Sequence, residues 1–271
     1  MKKLLSLLLA LGVVCSLAGC AGSSDGSQSD ASQSSSVSGS SSQADGSQAA
    51  GSQTDAQVMS YDEYMAAAVD DAVTIQAYVQ AKQSWWEDQA TVYAQDEDGA
   101  YFLYNMACSQ EDYEKLVPGT CIRVSGYKSE WSGEVEIIDA TFEIVEGDTF
   151  IAEPLDVTDL LGTDELINHQ NQLVDFKGLT VVAAGQDEAG NDVPFLYNWD
   201  GSGTQGDDLY FNVSVGGQTY TFTVESYLCD SSTEVYKAVE NLKIGQVIDA
   251  EGFLYWYEGV NPHITSITVV E

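Results

Sequence analysis

The chain has 271 residues, of which 43 are acidic and 9 are basic, giving a formal net charge of −34. A protein that binds nucleic acid through its phosphates needs clustered Lys and Arg, so this balance predicts that nucleic acid is not a partner. The same balance disfavours binding to anionic lipid headgroups.

The first nineteen residues have the layout of a signal peptide. Lys2 and Lys3 precede an apolar stretch that is shorter than the roughly 20 residues of a membrane-spanning helix. The segment Leu17-Ala18-Gly19-Cys20 resembles the bacterial lipobox, in which a diacylglycerol is attached to the cysteine thiol and the chain is cleaved before it. The resemblance implies a signal peptide over 1–19 and a lipid anchor at Cys20, on the extracytoplasmic face of the cell membrane. An ordinary secretory signal is the alternative.

The segment that follows the cysteine is almost entirely Ser, Gly, Gln, Ala and Asp, and Val37 is its only large aliphatic residue before Val58. Such a composition buries too little apolar surface to offset the entropy lost on ordering. Residues 20–57 are therefore predicted to be the lipidated cysteine and a disordered linker.

An internal repeat divides residues 58–271 into two parts. Three glycines, Gly119, Gly126 and Gly133, recur 126 residues later as Gly245, Gly252 and Gly259. The repeat predicts two domains, one over 58–150 and one over 151–271.

The first copy opens with Ser60-Tyr61-Asp62-Glu63, a capping box that predicts a helix to about Val69. Alternating apolar residues then predict five strands, and a short helix begins at Ser109 between the third and the fourth. The predicted strands cover 73–79, 91–94, 101–106, 122–126 and 135–145.

The second copy repeats this order. A short helix is predicted over 163–169 and another over 232–241, between the third and fourth strands. Gly216-Gly217 predicts a two-residue hairpin turn between the second and third strands. The predicted strands cover 174–184, 209–215, 219–225, 247–252 and 264–270.

Five strands with a helix between the third and the fourth is the order of the OB-fold, so the chain is mostly β and resembles two tandem five-stranded OB-like barrels. The stretches 73–79, 85–86, 100–106 and 126–133 also resemble lipoproteins of anaerobic Gram-positive bacteria that carry tandem OB-like domains. That resemblance implies a fold and a location, and no activity.

OB-folds bind ligands on the face of strands 2 and 3 and between the loops that join strands 1–2 and 4–5. All five tryptophans and two flanking tyrosines fall in those loops. Flat aromatic rings stack on sugars, on bases or on cations. These residues are the candidate ligand-binding set, and the alternative is that the tryptophans plug the barrel ends: Trp85, Trp86, Trp131, Trp199, Tyr255, Trp256 and Tyr257.

Cys108 and Cys121 flank the helix of the first copy, so outside the cytosol a disulfide between them is possible, with three free thiols as the alternative. The acidic turns at 96–99 and 187–192 lack the full spacing of a calcium loop and are interpreted as solvated turns, so no metal is predicted. His169 and His263 are far apart, and no nucleophile, phosphate or dinucleotide motif is present. The sequence predicts neither a cofactor nor an enzyme.

These observations favour a membrane-anchored, extracytoplasmic binding module whose ligand is a carbohydrate or a protein with a basic surface. The alternative is a structural or assembly subunit of a cell-envelope complex.

Overall fold

The computed structural model describes residues 57–270. The predicted signal peptide, the lipidation of Cys20 and nearly all of the predicted linker lie outside the described residues. Within them, no helix is both long enough and apolar enough to cross a bilayer.

The first barrel closes in the order β1-β2-β3-β5-β4, with β3 and β5 parallel and the other pairs antiparallel. Its elements are α1 (Tyr61–Ala66), β1 (Ala72–Lys82), β2 (Gln89–Gln95), β3 (Ala100–Ala107), α2 (Gln110–Lys115), β4 (Cys121–Trp131) and β5 (Glu134–Ile144). This is the OB-fold order that the strand pattern predicts.

The second barrel has the same ring, β7-β11-β12-β14-β13, which closes where β13 pairs with β7 and β7 with β11. Its elements are β6 (Leu155–Asp156), 3-10 helices at Thr158–Leu160 and Leu166–His169, β7 (Leu173–Val182), β8 (Gly185–Gln186), β9 (Asp192–Val193), β10 (Phe195–Tyr197), β11 (Leu209–Val215), β12 (Gln218–Val224), α3 (Glu234–Glu240), β13 (Val247–Phe253) and β14 (His263–Val269). The predicted fold of two tandem OB-type barrels is confirmed.

Two details differ from the predicted elements. The helix predicted over 163–169 is a short 3-10 helix, Leu166–His169, without a side-chain N-cap. The segment between the predicted strands 174–184 and 209–215 contains the short strands β9 and β10. The Asp187 carboxylate accepts hydrogen bonds from the backbone amides of Ala189 and Asn191, which folds the turn between β8 and β9.

Local polar groups define the ends of α1. The Ser60 hydroxyl accepts from the Glu63 amide at 3.2 Å, and the Glu63 carboxylate accepts from the Ser60 amide at 2.9 Å, which confirms the predicted capping box. At the other end, the Lys128 ammonium donates to the carbonyls of Tyr64, Met65 and Ala67. The helix is thus tied to β4 of the barrel that it precedes.

The repeat predicted from glycine spacing is present in the backbone. The amide of Gly119 donates to the Val79 carbonyl at 2.8 Å, and the amide of Gly245 donates to the Val181 carbonyl at the same distance. Both glycines have positive φ, +89° and +87°. At Gly126, a side-chain Cβ would lie 2.7 Å from the Ile138 carbonyl oxygen, so the strands could not approach so closely with any other residue.

Each barrel has its own apolar core, and a third apolar cluster joins the two barrels. Tyr93 on β2 and Phe102 on β3 point outward from the first barrel and are buried against Phe253 at the end of β13. The Tyr93 and Phe253 rings stack with centroids 4.3 Å apart and planes 11° from parallel. The second barrel therefore covers the part of the strand 2–3 face of the first barrel that carries Tyr93 and Phe102.

The described cysteines are free thiols, all buried, so the disulfide predicted between Cys108 and Cys121 is not formed in this structure. The barrel order gives the reason: β5 lies between β3, which ends just before Cys108, and β4, which begins at Cys121. Cys108 packs in the core of the first barrel, whereas Cys121 lies beside Tyr78 and Arg123. The two cysteines flank the same helix in sequence, but the fold does not place their thiols together.

Candidate binding groove at the barrel junction

A groove runs along the junction of the two barrels. Its narrow half has a volume of about 350 Å³ and lies beside β2 and β3 of the first barrel. Its wide half has a volume of about 740 Å³ and lies on β11 and β12 of the second barrel. Glu225, Tyr255 and His263 line both halves, so the two are continuous.

The wide half occupies the position where an OB-fold binds its ligand. Its floor is the strand 2–3 face of the second barrel, with Tyr210, Asn212 and Thr221. Trp199 from the loop between β7 and β11 and Tyr257 from the loop between β13 and β14 form its rim. The sequence-based assignment of ligand loops thus corresponds to a real cavity in the second barrel.

Exposed aromatic rings are concentrated along this groove. Trp199 is 77% exposed, Trp86 is 65% exposed and Trp131 is 54% exposed, although large aromatic side chains are usually buried. Three tyrosines add to them: Tyr104, Tyr227 and Tyr257. The Trp131 and Tyr257 rings pack together with centroids 5.1 Å apart, so a residue of the first barrel completes the rim of the second.

The candidate aromatic set divides into two groups. Trp86, Trp131, Trp199 and the tyrosines Tyr255 and Tyr257 line the groove. The other two tryptophans act as packing residues, as the alternative interpretation has it. The Trp85 indole donates to the Cys108 carbonyl at 2.9 Å, and Trp256 packs on the core of the second barrel.

The polar lining of the groove is neutral or acidic. Five amide side chains offer both donors and acceptors: Gln83, Gln89, Asn105, Asn212 and Asn261. Among the described residues, neither half of the groove is lined by Lys or Arg. The wide half instead carries carboxylates, which lie on Asp208, Glu225 and Glu258.

Glu225 lies where the two halves meet and is almost fully buried. Burial and, to a smaller extent, the nearby negative charge of Asp208 raise the pKa of its carboxyl to about 7. The backbone amides of Tyr227 and Leu228 donate to its two oxygens, which fixes their orientation and opposes the rise. Glu225 thus titrates near neutral pH inside the groove.

His263 lies beside Glu225, with its ring stacked on Tyr255 at a centroid distance of 4.3 Å. Its Nδ1 is 2.9 Å from the hydroxyl of the fully buried Tyr93. Burial lowers the pKa of the imidazole to about 3, so the ring is neutral. Because the Tyr93 hydroxyl has no other acceptor within the described chain, it donates to Nδ1, which places the ring proton on Nε2.

Behind the groove, Glu134 of the first barrel reaches into the second. Its carboxyl is fully buried, and one oxygen accepts from the Trp256 amide at 2.9 Å. Its other oxygen is buried without a partner in the described structure. Burial raises the pKa of Glu134 to about 8, although the Asn171 side chain and the Trp256 amide oppose the rise. The buried carboxyl therefore holds its proton at neutral pH.

Sequence reasoning missed Glu225, Asn261, Tyr104 and Tyr227 as groove residues. Glu225 is one of 43 acidic residues, and nothing in its local sequence marks it as buried. His263 is interpreted from sequence as structural, and it does support the barrel junction, but it also lines the groove. Within residues 57–270, no group of three or more His, Cys, Asp or Glu side chains is arranged to hold a metal ion.

The fold and the groove define the chain as a tandem OB-fold protein. No protein-family model matches it, and no curated protein matches it. Solved structures resemble it in fold alone. A murine DNA-binding protein bound with double-stranded DNA is 12% identical, with a TM-score of 0.34, over 73% of this chain and 95% of its own. The tetrameric p202 HIN2 is 13% identical, with a TM-score of 0.30, over 74% and 95%. A replication protein A heterotrimer bound to single-stranded DNA is 13% identical, with a TM-score of 0.30, over 74% and 49%.

The prediction that nucleic acid is not a partner is wrong, because net charge alone does not exclude such a partner. Several of the matched structures are complexes with double-stranded or single-stranded DNA. Net charge is a sum over the whole surface, whereas a ligand meets one face, and aromatic rings stack on bases whatever the total charge. Nucleic acid therefore stays among the ligands to be tested.

Proposed function

We propose that this chain is a lipid-anchored, extracytoplasmic binding module that holds a carbohydrate in the groove between its barrels and catalyses no reaction. The observation that carries this proposal is the concentration of exposed aromatic rings along one continuous groove. An exposed indole is unfavourable in water, and rings that flank a cleft are suited to stack on a flat apolar ligand face. Side-chain amides between such rings are suited to bind hydroxyl groups.

The location rests on the N-terminal sequence. The lipobox-like segment at 17–20 supports attachment to the membrane at Cys20, and two acyl chains there would give lasting anchorage. The resemblance to tandem OB-like lipoproteins of Gram-positive anaerobes supports the same location. We expect that Cys20→Ser moves the protein from the membrane fraction to the soluble fraction and abolishes incorporation of labelled fatty acid.

A second candidate is an assembly subunit that docks on a basic protein of the cell envelope. The net charge of −34 favours it, because a strongly acidic surface attracts basic partners over distances of several ångströms. Such docking would weaken steeply with salt, whereas stacking of sugars on aromatic rings would change little.

The experiment is a titration of the full chain, in detergent micelles, followed by tryptophan fluorescence. The ligand panel contains neutral and amino-sugar oligomers, a single-stranded DNA and oligolysine. Saturable quenching by a sugar oligomer that is lost in Trp199→Ala and Trp131→Ala supports the proposal. Tyr127→Ala is the matched control, since Tyr127 is an exposed aromatic residue outside the groove. Binding of DNA or oligolysine alone overturns the carbohydrate assignment.

A further inference from the structure

We propose that the wide half of the groove binds the protonated amino group of a sugar, so that the ligand is an oligosaccharide with free amines. This inference rests on the proposed function and narrows its substrate class. Three features of the wide half carry it: carboxylates without a basic partner, a buried imidazole with a free donor, and aromatic walls.

The carboxylates form one negative patch. The Ser226 amide and hydroxyl donate to one Asp208 oxygen at 2.8 and 2.7 Å, and Ser226 directly follows Glu225. Glu258 lies on the opposite rim of the same cavity. The ion pairs within the described chain involve none of these carboxylates. An ammonium group in the cavity would supply the positive charge that the protein itself does not provide.

His263 supplies an independent sign of a ligand. Its side chain is only 7% exposed, and it lines the cavity. Nδ1 is occupied by the Tyr93 hydroxyl, and Nε2 makes no hydrogen bond to any described residue. Because His263 lines the cavity, this N–H can donate to the oxygen of a ligand bound there. A sugar carries such oxygens beside its amine, whereas a simple organic cation does not.

The walls fit the rest of a sugar ring. Trp199 and the packed pair of Trp131 and Tyr257 present flat faces to the cavity. Such faces stack on the apolar side of a pyranose and attract a nearby ammonium group through the ring quadrupole. A volume of about 740 Å³ lies within the usual range for ligand pockets.

The charge of the patch changes with pH through Glu225. The carboxylates of Asp208 and Glu258 line the same half of the groove as Glu225. The other titratable side chains nearby are neutral near pH 7, because burial lowers the pKa of His263 and raises the pKa of the acidic groups. Those acidic groups are Tyr93, Tyr210, Tyr255, Cys229 and Glu134. Because burial raises the pKa of Glu225 to about 7, its carboxylate is ionised above that pH. Cation binding should therefore strengthen as the pH rises through about 7.

The test compares a glucosamine tetramer with its N-acetylated counterpart, which has the same backbone but no charge. The full chain should bind the free-amine tetramer about tenfold or more tightly at pH 6, because a hydrogen bond to a charged group is worth roughly 1.4 kcal/mol or more. Glu258→Gln should remove most of this preference at pH 6. Glu225→Gln imitates the protonated acid, so it should change the preference little at pH 6 and abolish the gain in cation binding above pH 7. Glu258 is exposed, so its variant provides a test that does not depend on a buried substitution. Glu146→Gln, remote from the groove and exposed, is the control for net charge.

A second measurement separates the carboxylate from the ligand amine, which itself titrates. Tetramethylammonium keeps its charge at every pH, so its own binding, followed by tryptophan quenching, should be tighter at pH 8 than at pH 6 in the wild type and not in Glu225→Gln. Equal binding of the two tetramers overturns the amine inference and leaves the carbohydrate proposal standing. Binding of neither tetramer overturns both. Binding of tetralysine as tightly as the free-amine tetramer overturns the assignment to a sugar.

Discussion

The buried carboxyl at the barrel junction leads to a sharp prediction about stability and pH. Glu134 is fully buried, and its pKa is raised from 4.5 to about 8. An acid whose pKa is higher in the folded state binds its proton more tightly there than in the unfolded chain. Its contribution to stability is therefore greatest at low pH and is lost as the pH rises through about 8.

The substitution Glu134→Gln tests this prediction because glutamine imitates the protonated acid. Its oxygen can accept from the Trp256 amide, as the carboxyl does. Below pH 4.5, where the acid is protonated in both the folded and the unfolded chain, we expect the variant and the wild type to be about equally stable. Above the pKa of Glu134, the wild type must hold a buried negative charge at the junction, and the variant does not.

The magnitude follows from the pKa. Each pKa unit corresponds to about 1.4 kcal/mol, and pH 6 lies two units below the folded pKa of about 8. Between pH 6 and pH 9, the wild type should therefore lose about 2 to 3 kcal/mol relative to Glu134→Gln. Ionisation of Glu225 changes both proteins equally, so it cancels from the difference.

The assay is urea denaturation of both proteins at pH 6 and at pH 9, followed by circular dichroism. Glu146→Gln makes the same change in net charge at an exposed site and should track the wild type within about 0.5 kcal/mol at both pH values. A constant difference between wild type and Glu134→Gln across the pH range would refute the reasoning, because it would mean that Glu134 does not titrate in this interval.

Three further predictions concern packing. Trp256→Ala should lower the free energy of unfolding by about 3 kcal/mol or more, while Trp199→Ala should change it by about 0.5 kcal/mol or less. Equal losses in thermal denaturation would show that Trp256 is not a packing residue distinct from the exposed Trp199. Gly126→Ala should lower stability by about 2 kcal/mol, because its Cβ would lie 2.7 Å from a carbonyl oxygen; an unchanged urea midpoint would contradict that approach. Iodoacetamide should label the buried thiols only in denaturant, as burial raises the pKa of Cys229 to about 11; a disulfide-linked mass in the unreduced protein would disprove the free-thiol state.

The strand order and helix starts were accessible from sequence because they depend on short-range signals. The capping box at Ser60 and Glu63 is a local hydrogen-bond exchange, and Gly216-Gly217 is a local turn. The glycine repeat was informative because Gly126 and Gly252 each permit a close strand approach that any side chain would block. These signals need no knowledge of how the barrels pack together.

The groove was only partly accessible, because it depends on the docking of the barrels. Alternation on β2 indicates that Tyr93 points outward, but not that a second barrel buries it. Glu134 and Glu225 look like any surface acid in sequence. Glu134 accepts from the Trp256 amide, 122 positions away, and Glu225 lines a cavity together with residues as distant as Phe102. The sequence could not decide between a Cys108–Cys121 disulfide and three free thiols for the same reason, since the position of β5 between β3 and β4 is a property of the closed barrel.

Because Tyr93 and Phe102 pack against Phe253, the two copies of the repeat use the same barrel face differently. In the first copy, the face on which OB-folds usually bind ligands packs against the second copy. In the second copy, the equivalent surface stays open as the floor of a cavity. A fragment that ends after the first barrel would therefore expose the Tyr93 and Phe102 rings to water.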